Sequence, residues 1–279
     1  MAEVIDQQVV NARRALLDAF EALGVHRESI VLVGAQAVYL HTGSAEIAIA
    51  EFTTDGDLVV DSRTLVDDPL VELAMEAGGF MHDPSTQNPG VWLSRDGVQV
   101  DLMVPAAIAG VGRRSVEAPP HGKLSMRKSY GLEAALVSNV EMEITSFEAS
   151  DERTFAVRVA GPAALLVAKL HKLHERITEK RGVENKDAHD IYRLLVALDT
   201  DLLVKEVSEL LGNEMSAEVS REALQYLGEL FADGPEAAGS EMAGAAEIGV
   251  GNPSQVSESV SLLADDLRKA LESIQPDGG

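Results

Sequence analysis

Ser29-Ile30-Val31-Leu32-Val33-Gly34-Ala35, followed by Thr53-Thr54-Asp55-Gly56-Asp57-Leu58-Val59-Val60, is the stretch that decides the fold. A β-branched run closes on Gly34, and a helix of small residues, 35–40, begins at once. The first N–H groups of such a helix lack internal partners and, with the helix dipole, form an anion site. Gly34 lets a phosphate approach the backbone closely. In the second run, strand alternation puts Asp55 and Asp57 on one face. Two carboxylates about 7 Å apart along a strand suit hard divalent cations such as magnesium. The competing reading is a turn, because Asp-Gly-Asp is also good turn chemistry. A third carboxylate follows in Val98-Gln99-Val100-Asp101-Leu102-Met103-Val104. An Asp inside an apolar strand is costly unless it is paired, binds metal or meets solvent at the strand end.

Outward from this core the pattern is mixed. Residues 7–23 carry apolar positions at helical spacing and stop at Gly24. Strands are expected at 29–33, 57–61, 140–147 and 153–160, and a helix at 64–78. Runs 91–95 and 98–104 flank Asp96-Gly97, a hairpin signal. Residues 105–131 read as a long loop. Beyond Pro162, which suits a first helical position, helices are expected at 163–177, 187–198, 201–211, 216–231 and 257–274. The expected class is α+β: a mixed sheet with flanking helices over 1–160, then a helical domain over 161–232. Residues 233–256, rich in Gly, Ala, Ser and Glu with no apolar period, read as a flexible linker, and 257–279 as a C-terminal helix.

Composition narrows the function. The chain has 279 residues, 46% hydrophobic and 25% charged, and no cysteine. That excludes disulfide scaffolds, thiol nucleophiles and cysteine zinc sites. No apolar run reaches the roughly 18 residues of a membrane span, and the first residues lack the features of a signal peptide, so a cytoplasmic home and no membrane partner are expected. The net charge of −23 opposes general affinity for nucleic acid. It is unevenly spread: 113–193 holds 14 Lys/Arg against 12 Asp/Glu, and the remainder 9 against 34. A near-neutral third of this kind can gather cations around a phosphate-rich ligand, and Arg113, Arg114, Lys123, Arg127, Lys128, Lys172 and Arg176 are the candidates for such a rim. The competing reading is that the acidic excess is solubilising surface.

Gly34-Ala35 after a strand, then Asp55-x-Asp57, then Asp101, resembles the DNA polymerase β-type nucleotidyltransferase fold. Pro162-Ala-Ala-Leu-Leu-Val-Ala-Lys169 and Asn185-Lys186-Asp187-Ala188-His189-Asp190-Ile191-Tyr192 are similar to the helical signatures of the AbiEii-type toxins, which include the MenT toxins. The resemblance spans roughly 29–195. It departs from the family pattern at Ala35, where Gly or Ser is usual, at Gly56, where an apolar residue is usual, and in an apparent insertion over 44–51.

The resemblance implies a nucleoside triphosphate (NTP) as substrate and magnesium or manganese as cofactor. It implies metal ligation by Asp55, Asp57 and Asp101, nucleotide contact by Gly34, Ala35, Thr53 and Lys169, and catalytic roles for Asp55, Asp57, Lys169 and Asp187. Lys172 and Asp190 are the fallbacks for Lys169 and Asp187. The implied acceptor is the tRNA 3′ end, and the implied partner a cognate antitoxin that silences the enzyme by phosphorylating the Thr53 position. A protein or small-molecule acceptor, and a non-catalytic nucleotide- or partner-binding module, are the competing classes. Trp92 is expected in the core rather than stacking a base. His171, His174 and His189 are expected as structural histidines, since no H-E-x-x-H pattern accompanies them.

Overall fold

The computed structural model describes residues 6–43, 47, 53–83, 88–180 and 185–274. The chain divides into two units, Met1–Ala37 with Glu51–Ala160 and Val38–Ala50 with Gly161–Gly279.

The first unit is built on a mixed sheet. Its strands among the described residues are β1 (Ile30–Val33), β2 (Asp55–Val60), β3 (Met81–His82), β4 (Val91–Leu93), β5 (Gln99–Pro105), β6 (Arg127–Ser129), β7 (Asn139–Thr145) and β8 (Thr154–Ala160). The order across the sheet is β3-β4-β5-β2-β1-β8-β7, with β6 also paired to β5. β1 runs antiparallel to β2 and parallel to β8, while β2 runs parallel to β5. The four residues of β1 are all buried, which explains their continuous apolar character.

Helix α1 (Gln7–Leu23) is capped by Asp6, whose side chain accepts from the Gln8 N–H at 2.7 Å. It lays Ala12, Leu16, Leu17, Phe20 and Leu23 into the core. The Cβ direction of Gly56 meets Leu16 Cδ1 and Val100 Cγ2, each at 3.5 Å. By alternation Gly56 and Leu58 therefore look toward α1, and Asp55 and Asp57 look away from it. The hairpin at Asp96-Gly97 forms as the sequence implies, with Leu93 opposite Gln99. Trp92 is wholly buried; its Nε1 donates to the Ser125 carbonyl at 3.0 Å, and the His82 ring lies 3.8 Å from it.

Two expected elements of this unit differ. The helix read at 64–78 is shorter, α3 (Val71–Ala77), because Pro69 keeps the residue before it out of helical geometry. The loop read at 105–131 contains a 3-10 turn, Ala106–Ile108, and β6. Arg127-Lys128-Ser129 has no apolar alternation, so its backbone pairing leaves no trace in the pattern. The stretch 44–51 lies outside the described residues except for residue 47.

The first unit also holds a short helix α4 (Glu133–Val137), and the second unit is helical: α5 (Pro162–Glu179), α6 (Asn185–Ala197), α7 (Thr200–Leu211), α8 (Ala217–Leu227) with a π turn (Gly228–Ala232), α9 (Ala238–Ala246) and α10 (Pro253–Ile274). The reading of 233–256 as a flexible linker is corrected here. Residues 238–246 form α9, packed on α6 and α10, and α10 already begins at Pro253. The small residues that mimic a linker are packing devices. A Cβ on Gly239 would stand 2.6 Å from Phe231 Cζ, and one on Gly244 would stand 2.4 Å from the Pro253 carbonyl oxygen. At the end of α9, Glu247 and His189 form a buried pair with Nε2 to Oε1 at 3.1 Å.

The first unit carries a pH-sensitive contact. His26 is fully buried; its Nε2 lies 2.9 Å from the Pro69 carbonyl, its Nδ1 has no hydrogen-bond partner among the described residues, and the His121 ring is 5.6 Å away. Burial, opposed by the Pro69 bond and reinforced by His121, pulls its pKa below the ordinary 6.5. The folded state therefore holds this ring neutral where the unfolded chain protonates it, so stability is full above that value and declines as pH falls below it. We expect urea midpoints to decline from about pH 7 to pH 5, with a slope of at most about 1.4 kcal/mol per pH unit from this group. His26→Phe should flatten that slope; an unchanged slope contradicts the assignment.

Candidate functional site

The register of β2 assembles an acidic edge. Asp57 lies opposite Val33 on β1 and opposite Asp101 on β5, and Asp55 lies opposite Gln99. Neighbouring strands are about 4.8 Å apart, so Asp55, Asp57 and Asp101 share one face of the sheet beside the end of β1. There Gly34 opens helix α2 (Gly34–Thr42) with φ +72°. A Cβ at Gly34 would fall 2.1 Å from Asp57 Oδ2. The Asp57 carboxylate thus packs against the bare backbone at the start of α2, where helix dipole and N–H groups favour negative charge. Thr53 is buried, and its hydroxyl donates to Asp55 Oδ1 at 3.0 Å. Ala35 is buried as well.

Gln36, Arg13 and Gln99, which sequence reasoning missed, and Arg127, which it placed on a phosphate-facing rim rather than on Asp101, hold this edge in place. The Gln36 amide donates to the Asp55 carbonyl at 3.1 Å, and its Oε1 accepts from Arg13 Nε at 3.0 Å. Asp101 is 7% exposed; Arg127 Nη2 donates to its Oδ2 at 2.7 Å and Gln99 Nε2 to its Oδ1 at 2.8 Å. Burial raises the Asp101 pKa, and the charge of Asp57 adds to that rise against the pull of Arg127 and Gln99. The only trace of Gln99 and Gln36 in the sequence is two-residue and one-residue proximity to Asp101 and Ala35. Arg127 lies 26 residues from its partner, a separation no local pattern reveals.

All-oxygen carboxylate donors with mutual repulsion fit a hard divalent cation, which would relieve that repulsion. Asp55 and Asp57, two residues apart on one face of β2, are the candidate pair. Asp101 is engaged by Arg127, and among the described residues no three His, Cys, Asp or Glu side chains are grouped to hold an ion as they stand.

The second unit contains a separate charge cluster. Lys169 Nζ lies 2.9 Å from Asp187 Oδ1 and 2.6 Å from Asp190 Oδ2, and all three side chains are buried. Arg176 Nη1 reaches Asp187 Oδ2 at 2.6 Å, and Lys172 Nζ stands 3.6 Å from Asp187 Oδ1. Burial opposes the charge on Lys169, but the two carboxylates outweigh it and hold the ammonium well above its usual range. Burial likewise opposes ionisation of Asp187, and Lys169, Lys172 and Arg176 together hold its carboxyl far below the ordinary range. Lys172, at 41% side-chain exposure, and Arg176, at 24%, are the cations of this cluster that face solvent.

The remaining candidates resolve locally. His171 Nε2 bonds the Val219 carbonyl at 2.8 Å, and His174 stacks on Tyr226 with ring centroids 3.8 Å apart. Arg113, Arg114 and Lys123 are exposed, and Lys128 Nζ donates to the Gly110 carbonyl at 3.1 Å.

Residues 11–216 match the protein family described as Nucleotidyltransferase. No curated protein matches the chain. A crystal structure from H. pylori, provisionally described as a nucleotidyltransferase, aligns over 98% of this chain and 100% of its own length, at 11% identity and a TM-score of 0.36.

Two outcomes test this geometry. Gly34→Ala meets both a left-handed φ and the Asp57 carboxylate, so it should lose more than about 2 kcal/mol of stability in urea unfolding. Gly56→Ala has ordinary contact distances and should change stability by less than about 1 kcal/mol. Equal effects contradict the assignment. In the second unit, Lys169→Met leaves two buried carboxylates without their shared partner and should cost about 3–5 kcal/mol. Lys172→Met, at a half-exposed position, should cost less than about 1 kcal/mol.

Proposed function

Because this chain belongs to the nucleotidyltransferase family, we propose that it transfers a nucleotidyl group from an NTP to an acceptor hydroxyl, the acceptor oxygen bonding to the α-phosphorus as the α–β phosphoanhydride bond breaks and pyrophosphate leaves, using a divalent cation at the Asp55–Asp57 edge. The observation that carries this reading is the register that places Asp55, Asp57 and Asp101 on one face beside Gly34. Magnesium or manganese bound there would supply charge neutralisation for the triphosphate and activation of the acceptor oxygen.

The chain's own residues then have distinct tasks. Thr53 orients Asp55 through its hydroxyl, and Gln36 fixes the backbone at the same point. Gly34 and Ala35 present the N-terminal amides of α2 to phosphate. Asp101, in register with Asp57 on the same face, would help hold the ion and take the proton of the acceptor hydroxyl. The sequence reading gives Lys169 the phosphates directly. Since its Nζ binds two carboxylates, Lys169 enters this proposal as the charge that holds Asp187 and Asp190, and Lys172 and Arg176 as the solvent-facing cations of that cluster.

The finer reading rests on the similarity to AbiEii/MenT toxins in the order of Gly34-Ala35, Asp55-x-Asp57, Asp101, Lys169 and Lys186-Asp187-x-x-Asp190. It takes the tRNA 3′ end as acceptor, with toxicity through blocked translation and a cognate antitoxin as partner. A second reading, a nucleotide-binding module without turnover, is favoured by one observation: Asp101 is already neutralised by Arg127.

Incubating the protein with labelled NTPs, magnesium, total RNA and added small-molecule acceptors separates these readings. We expect label on RNA, lost at least about 100-fold in Asp55→Asn and Asp57→Asn, the scale of removing one transition-state electrostatic contact. Label only on protein or on a small molecule overturns the tRNA acceptor. Nucleotide binding with no transfer to any acceptor overturns the enzymatic reading, and full transfer by a folded Asp57→Asn protein overturns the metal edge.

A further inference from the structure

We propose that Arg127 is an internal counter-ion that occupies Asp101 until a divalent cation displaces it, so that the metal edge is held weak in the nucleotide-free protein. This rests on the reading of Asp55, Asp57 and Asp101 as a metal edge.

The guanidinium is built into its position. β6 is registered on β5 with Arg127 opposite Met103, and Ser115 bridges Arg127 from the other side. Gly90 makes room for it: a Cβ there would lie 2.5 Å from the Arg127 backbone nitrogen and 3.0 Å from its Cγ. The stem is therefore fixed from three directions, and the head meets Asp101 Oδ2 at 2.7 Å. Gln99 holds the other carboxylate oxygen at 2.8 Å. Both oxygens of Asp101 thus have donors, although Asp57 stands directly beside it in register.

Charge decides what happens next. One guanidinium faces three carboxylates, so the edge retains a net negative charge that draws cations. A divalent ion bound by Asp55 and Asp57 places two positive charges next to Arg127. Repulsion between them and the guanidinium favours release of Arg127, whose side chain is 32% exposed and has solvent to enter. Asp101 is then free to complete the oxygen set. Binding of the ion is weakened by whatever the Arg127–Asp101 pair is worth, and a charge-assisted hydrogen bond at a half-buried site contributes enough to change an affinity roughly tenfold.

The experiment is a Mn2+ titration of the full-length, nucleotide-free protein, read by the electron paramagnetic resonance of the free ion. Arg127→Gln should bind Mn2+ roughly tenfold more tightly than wild type. Arg127→Gln with Asp101→Asn should lose that gain. Unchanged or weaker binding in Arg127→Gln, while Asp57→Asn still lowers binding in the wild-type background, overturns the role of Arg127 alone. Binding that is indifferent to Asp57→Asn, or absent in every variant, overturns the metal edge and this inference with it. Should Arg127→Gln fail to fold, the wild-type protein gives the answer: magnesium should shift the Arg127 side-chain N–H resonances, and no shift at saturating magnesium overturns the displacement.

Discussion

Everything at the acidic edge depends on one constraint, the crowding of Asp57 between Gly34 and Asp101. Asp57 Oδ2 occupies the space where a side chain at residue 34 would begin. On its other flank, the parallel register of β2 and β5 sets a second carboxylate directly opposite. Two like charges on neighbouring strands are unfavourable unless something positive or polar meets them. The start of α2 faces one, and Arg127 with Gln99 faces the other. The sheet accepts this cost in the unit whose apolar face is secured elsewhere, by α1 over Gly56, Val100 and Leu102.

The helical unit repeats the theme with the signs reversed. One lysine is buried between two carboxylates, and two further cations gather on Asp187. A buried ionic group of this kind contributes little net stability compared with an apolar packing, but removing one member is expensive. Such clusters are retained where charge has a task. Each unit therefore has its own charged centre of opposite bias, an acidic strand edge in the first and a cation-rich helix cluster in the second.

Much of the fold was legible because the pattern and the physics coincide. The buried run of β1, the Gly34 stop, the Asp96-Gly97 turn and the Pro162 helix start each carry a local cause that reads directly from residue type. The alignment of Asp55, Asp57 and Asp101 on one sheet face was legible for the same reason: charged residues stand out in apolar strands. What escaped depends on distant partners. Arg127 reads as one of several rim cations until β6 pairs with β5 and brings it to Asp101. Gln36 becomes important only because α2 folds back on the start of β2. The segment 238–246 reads as a linker because close helix packing and flexibility both select Gly, Ala and Ser, and only the presence of Phe231, Pro253 and Ser257 against it decides between them.

The reading of this chain as a nucleotidyltransferase turns on the strand edge receiving the cation and the triphosphate. Crystals grown with Mn2+ and a non-hydrolysable NTP, measured at the manganese absorption edge, test it most directly. The account predicts anomalous density roughly 2.0–2.3 Å from carboxylate oxygens of Asp55 and Asp57, with the triphosphate against Gly34 and Ala35 and the Arg127 guanidinium withdrawn from Asp101. Manganese bound away from both aspartates, or a triphosphate seated with the Asp55–Asp57 edge empty of metal, would contradict it.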